Sequence, residues 1–418
     1  MPEKSATAAP GEGRVPDDAE QPLAFHALSF QPDGEEVTVG RLDEGTFVVL
    51  PADGAELLRR LVDGSTCTQA AQWYEQTYGE PVDIADFVAD IGELGFLRAS
   101  DEPEPAAPRP VRWMLLGRAV FSPVGALAYL ALLAGAVAAM VHTPALAPGY
   151  HHLFFTHYMS LLMVTMFLGQ MPLLLLHEGA HALAGRRLGL PSRLSVGRRL
   201  YYLVFLTTMD GLVGVPRRKR YLPILAGILS DLGVLGALTL LAAATRRSDG
   251  SFPLPGELAL ALAYLTLLRL LWQGWFFLQT DLYYLVVTAL GCVDLQTTAK
   301  QVVANRWNTL RGRPAPHDPE RWHPRDRAVA RWYSVLLVGG YAFSLATLVL
   351  GLLPVVTRVL GTVFDRLAGH GSHSALGLAD SVLFLALSIG EIALPAVLFL
   401  RERRTERAAR GRTAVSAP

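Results

Sequence analysis

Long apolar stretches dominate this sequence and restrict what it can fold into. Residues 119–141 carry no Asp, Glu, Lys or Arg, and a helix of that length crosses about 30 Å of hydrocarbon. Five further runs follow, at 154–176, 221–244, 258–290, 333–356 and 382–400. Six runs of spanning length do not suit the core of a soluble domain, whose helices are shorter and carry a polar face. Charge agrees. Only 18% of the residues are charged, whereas soluble domains carry about 25%. The 37 basic and 37 acidic residues cancel, which leaves no electrostatic footprint for nucleic acid. Cys67 and Cys292 are the only cysteines, too few for a disulfide framework or a Cys-rich zinc site.

Connections between the runs give a topology, because cytoplasmic loops collect Lys and Arg. Nine basic residues fall between Arg186 and Arg220, eight between Lys300 and Arg331, and a further cluster follows Arg401. The alternate connections are poor: 142–153 has none, 245–257 has Arg246 and Arg247, and 357–381 has Arg358 and Arg366. This alternation predicts six crossings of the cell membrane with both termini cytoplasmic. Trp322, Trp332, Tyr333 and Tyr341 fit an interfacial aromatic belt.

The front of the chain is different. Residues 1–22 are rich in Pro, Gly, Ala and charge and read as a disordered lead-in. They lack the apolar core of a signal peptide, so the N-terminus is expected to stay on the side of synthesis. Residues 23–100 read as a small α+β domain of winged-helix type. Strands at 36–42 and 46–50 flank Asp43, Glu44 and Gly45, and three helices follow at 55–62, 69–78 and 84–94. Ser65 or Thr66 caps the second helix, and Asp83 caps the third, whose apolar face carries Ile84, Phe87, Val88 and Ile91. A Pro-rich linker at 101–112 leads into a transmembrane domain at 113–405, and 406–418 form a basic tail suited to anionic lipid. The expected fold is mainly α, a polytopic membrane helix bundle of about six transmembrane helices with this small N-terminal domain.

The second run ends in His177, Glu178, Gly179, Ala180 and His181. Residues four apart share a helix face, so both imidazoles can bind one zinc ion while Glu178 acts on its water. Ionisable groups at membrane depth point to function. Zinc needs a third protein ligand, and Asp210, Asp231, Asp281 and Glu391 are the candidates. Asp210 falls in the cytoplasmic connection, before Pro216 and the basic residues 217–220. Asp231 lies about 15 Å into the third run and suits a supporting or packing role. Glu391 sits mid-run beside Gly390 and suits gating or pairing. Asp281 matches best in depth. At 1.5 Å per residue, His177 lies about 33 Å from Phe155 and Asp281 about 35 Å from Leu258, on helices running the same way. Gln273, Gly274, Gln279 and Thr280 interrupt that fourth run, and a broken helix can turn a carboxylate towards a metal. His151, His152 and His157 lie at an outer helix entrance and read as interfacial residues, and His317 and His323 sit in a Pro-rich cytoplasmic loop with no metal spacing.

These residues resemble a family. The His177 to Gly185 segment is similar to the zinc-binding helix of site-2 intramembrane metalloproteases. The segment from Trp275 to Tyr284 resembles that group's second motif, and Leu225, Ala226 and Gly227 resemble its third-helix signature. The chain departs from the pattern in lacking the Asn-Pro pair and in placing Leu282 where Gly is expected. The resemblance implies a zinc-dependent intramembrane protease, with His177, His181 and Asp281 as ligands and Glu178 as general base. In the front domain, the stretch from Leu57 to Gly64, Ala85 to Val88, and Leu94 to Leu97 resemble PqqD-like peptide-recognition domains. That resemblance implies capture of a precursor peptide as an added β-strand, alongside peptide-modifying enzymes or an exporter. The domain has no basic recognition helix, which counts against DNA. Together these imply leader-guided maturation or export of a ribosomally made, modified peptide. The alternatives are a regulatory intramembrane protease acting on a transmembrane signalling protein, and a non-catalytic peptide-binding membrane scaffold.

Overall fold

The computed structural model of the protein describes residues 21–41, 44–98, 111–199, 202–209, 211–352 and 375–390, with single positions at 357, 361, 364, 393 and 397. Three strands open the chain, β1 (Leu28–Asp33), β2 (Glu36–Arg41) and β3 (Thr46–Pro51), followed by α1 (Ala52–Val62), α2 (Cys67–Tyr78) and α3 (Ile84–Glu93). Next come α4 (Met114–Val120), α5 (Pro123–His142), α6 (Met159–Arg187), β4 (Ser192–Arg199) and β5 (Tyr202–Met209). The remainder is helical: α7 (Arg217–Thr245), α8 (Leu254–Trp272), α9 (Asp281–Leu290), α10 (Leu295–Leu310), α11 (Pro324–Ala346) and α12 (Ala375–Gly390). The chain divides into two compact units, 1–126 with 178–197 and 205–227, and 127–177 with 198–204 and 228–418. The division cuts α6 between His177 and Glu178, and the helix itself is continuous there.

The first unit holds the front domain. Its antiparallel sheet has the order β1-β2-β3, with Phe30 opposite Val39 and Val39 opposite Val48. The strand period of two sends Val37 and Val39 to one face, where Val39 joins Ala55, Leu58, Ile91 and Phe96 in the core. Leu57, Leu61, Ala70 and Val88 form the second layer between the helices. Thr66 and Gln69 make a reciprocal capping box that starts α2, and Gly79, at φ +78°, ends it. Asp83 caps α3 by accepting from the Asp86 amide. The hairpin expected at 36–42 and 46–50 is present, and so are all three helices. The preceding strand, β1, was not expected, because its sequence LSFQPD carries a proline and little alternation. A second hairpin, β4-β5, stands in the stretch read from sequence as a basic loop, with 192–197 and 205–209 in this unit.

In the second unit the long helices carry apolar side chains outwards. On α5, Leu127, Leu130 and Val137 are exposed, as lipid contact requires. Small residues bring helices close: Gly233 on α7 meets the ring of Tyr129 on α5, and Gly236 meets Ala136. Tyr129 also donates its hydroxyl to the Leu229 carbonyl. Asp380 on α12 caps the start of α6, accepting from the amides of Met159 and Ser160 at 3.1 and 3.0 Å.

Among the described residues, five helices are long and apolar enough to cross a membrane: α5, α6, α7, α8 and α11. The number is six if α9 and α10, bent by 88°, count as one span. This is the architecture of a multi-pass membrane protein. The run at 258–290 is not one span, since α8 ends at Trp272 and α9 begins at Asp281. Between them Gln279 takes a left-handed backbone, φ +54°, and the ring of Phe277 fills the notch left by Gly340 on α11, where there is no room for a Cβ. Of the run at 382–400, α12 covers the first part. Glu391 and the rest of that run, Ala393 and Val397 excepted, lie outside the described residues.

Candidate metal centre

The centre is built on α6. Ala180, Ala182, Leu183 and Ala184 favour the helix beyond the last apolar turn. It ends at Gly189, φ +82°, where the Gly189 and Leu190 amides return to the carbonyls of Arg186 and Gly185. His177, Glu178 and His181 are all buried. In the first unit, Thr207 on β5 donates its hydroxyl to the Glu178 carbonyl at 3.0 Å, and Met209 lies against Gly185, where a Cβ would come within 2.9 Å of its sulfur. The hairpin β4-β5 is thereby fixed along the turn that carries Glu178.

The helix break supplies the carboxylate. Asp281 is the first residue of α9. The side chain of Gln273 donates Nε2–H to Asp281 Oδ2 at 3.1 Å and accepts from the Asp281 amide at 3.0 Å. Thr280 closes the loop by donating its hydroxyl to the Gln273 carbonyl at 2.7 Å. Gln273 therefore sets both the backbone and the side chain of Asp281.

His177 Nε2 lies 3.3 Å from Asp281 Oδ2, and His181 follows one helix turn on. The atoms that His177, His181 and Asp281 can offer a cation all lie within 4.8 Å of one another, and this is the one such group of His, Cys, Asp or Glu among the described residues. The outer ring nitrogens are already engaged. His177 Nδ1 is 3.0 Å from Asp231 Oδ2, and His181 Nδ1 is 2.8 Å from the Pro223 carbonyl oxygen. A carboxylate and a carbonyl can only accept, so each Nδ1 carries a proton, and Nε2 is the ring atom each histidine would offer a metal. Two ligand atoms held about 2.0–2.1 Å from one tetrahedral zinc lie about 3.3 Å apart, which is the His177–Asp281 spacing observed. Two imidazoles and one carboxylate, with a fourth position open, is the donor set of a catalytic zinc. The residues present fit the ion.

No protein-family model, curated protein or solved structure matches this chain. The site is therefore read from its own geometry.

Of the residues singled out in the sequence, His177, His181 and Asp281 come together, and Glu178 is buried within the same helix turn. Asp231 touches His177 through the outer ring nitrogen, the supporting position expected for it. Asp210 and Glu391 lie outside the described residues. His151, His152 and His157 join no metal-ligating group among those residues. Sequence reasoning took Gln273 only as part of the helix break and passed over Arg269. The signal for Arg269 was available: a guanidinium inside an apolar run needs a buried acid, and Asp231 is the acid one helix away.

Proposed function

We propose that the chain is a membrane-embedded zinc metalloprotease of site-2 type that hydrolyses a peptide bond during leader-guided maturation or export of a ribosomally made peptide. The observation that carries the reading is the convergence of His177, His181 and Asp281, each imidazole presenting Nε2, on a helix that also bears Glu178. In this reading the three side chains hold the cation. When bound, the ion lowers the pKa of a coordinated water to about 7 and polarises a carbonyl. Glu178 takes a proton as water oxygen adds to the substrate carbonyl carbon, then delivers it to the amine as the C–N bond breaks. The outcome is one carboxylate and one ammonium, which carries both protons of the water, with Glu178 returned to its starting state.

The front domain supplies the peptide in this proposal. It is read as a winged-helix, PqqD-like module on the cytoplasmic side, and the termini of the six-crossing chain both lie there. Its sheet supports the reading, since among the described residues β1 and β3 each pair with β2 alone, an arrangement suited to strand addition at the outer edges. The Asp33 carboxylate at the β1-β2 turn accepts two hydrogen bonds from Arg217, the first residue of α7, at 2.7 and 3.1 Å. Pro223, which receives the His181 ring proton, lies on the same helix.

The test is cleavage of a precursor peptide by the full chain in detergent or vesicles, comparing wild type with Glu178→Gln. We expect the variant to keep its zinc and lose cleavage by about 10²–10⁴-fold, the usual worth of a general base. Cleavage undiminished in Glu178→Gln contradicts the proposal.

A further inference from the structure

Asp231 is fully buried on α7, inside an apolar helix, and its carboxylate is held from two sides. On one side Oδ2 accepts from His177 Nδ1 at 3.0 Å. On the other, Arg269 on α8 donates Nε–H to Oδ2 at 2.9 Å and Nη2–H to Oδ1 at 2.6 Å, a two-pronged grip. The third arm of Arg269 returns to α6, where Nη1 donates to Gln170 Oε1 at 3.0 Å. Gln170 precedes His177 by two helix turns, so both face the same neighbours. The result is a closed ring, Gln170–Arg269–Asp231–His177, joining α6, α7 and α8.

A buried ion pair of this kind is poor evidence for stability. Taking both charges out of water offsets most of their attraction, and apolar replacements of similar size often leave a fold as stable or more so. The penalty is larger among membrane helices, where ionisable side chains are rare and serve a task. What the pair does here is geometric. The guanidinium fixes the carboxylate in one orientation, the carboxylate accepts the Nδ1 proton, and His177 Nε2 is left aimed at Asp281 Oδ2. Outer partners of this kind hold a ligand ring in one tautomer and one plane.

We propose that Asp231 and Arg269 are positioning residues of the metal centre: the Arg269-held carboxylate orients His177 as a ligand, and metal affinity, not folding, is what the pair controls. This rests on the zinc reading of the site.

The test uses the full chain and compares wild type with the double substitution Asp231→Leu/Arg269→Met, which removes both charges together, and with Asp231→Asn, which keeps shape and an acceptor. Zinc affinity is read by competition with a chromophoric chelator. The ligand field is read from the visible bands of the cobalt(II)-loaded protein, and folding from thermal unfolding of the metal-free protein. We expect the double variant to unfold at or above the wild-type temperature, to bind zinc about 10–100-fold more weakly, and to show altered cobalt bands. Asp231→Asn is expected to fall between it and wild type in affinity. Wild-type zinc affinity and unchanged cobalt bands in both variants overturn the inference and leave the zinc reading intact. A wild-type protein that binds no zinc overturns that reading and this inference with it.

Discussion

At the candidate metal site each imidazole makes one hydrogen bond through Nδ1, to Asp231 or to the Pro223 carbonyl, and neither partner can donate. The Nδ1 protons follow from that alone, and Nε2 is the atom each ring would offer a cation. Gln273 does the same for the carboxylate, holding Asp281 by its amide and by Oδ2. We expect Gln273→Ala to weaken zinc binding by about 10-fold or more while Asp281 itself is retained, measured by chelator competition. Unchanged affinity contradicts a positioning role for Gln273. The His177, Glu178 and His181 cluster was legible in the sequence because a four-residue spacing on a helix is a local fact. Asp281 was legible through depth along two helices and through the resemblance of the segment from Trp275 to Tyr284. Gln273 and the Arg269–Asp231 pair were not read, because their partners lie 8 and 38 positions away and meet only when helices pack.

Helices and hairpins show a similar division between local and distant causes. Caps and stops in the front domain were readable one by one: Thr66 and Gln69, Gly79, and Asp83 all act within a turn. The break at 273–280 was visible as a polar interruption, but its shape depends on Gly340 of α11 receiving Phe277. The hairpin β4-β5 escaped notice because its arginines read as a loop charge cluster. Between α1 and α2, the Tyr74 hydroxyl donates to the Asp53 carboxylate. That bond holds Asp53 below the usual carboxylate range and pushes Tyr74 up to about 12. The raised tyrosine contributes stability that is complete below its ordinary value of 10 and is lost as pH rises towards 12. The depressed aspartate contributes above its ordinary value of 3.8 and is lost as pH falls through the folded value. An ultraviolet difference titration of wild type against Tyr74→Phe should therefore show one phenol ionising near pH 12. A missing phenol that ionises at 10 contradicts the bond.

As a whole, the chain joins a small α+β domain to a mainly helical multi-pass membrane protein. That division was legible from hydropathy and from the alternation of basic loops, because the bilayer imposes length and charge rules that act without tertiary detail. The number of crossings was less so: α8 and α9 split one apolar run, and the last run reaches the described residues only as α12. The candidate metal site ties these scales together, since it draws on one helix turn, one helix break and the supporting ring from α7 and α8. The most direct measurement is zinc content by mass spectrometry, with X-ray absorption at the zinc edge, on the purified full chain and on His181→Ala, Asp281→Ala and Asp210→Ala. We expect one zinc per chain bound by two imidazoles and a carboxylate, lost in His181→Ala and Asp281→Ala and kept in Asp210→Ala. Full zinc in Asp281→Ala together with its loss in Asp210→Ala would contradict the site described.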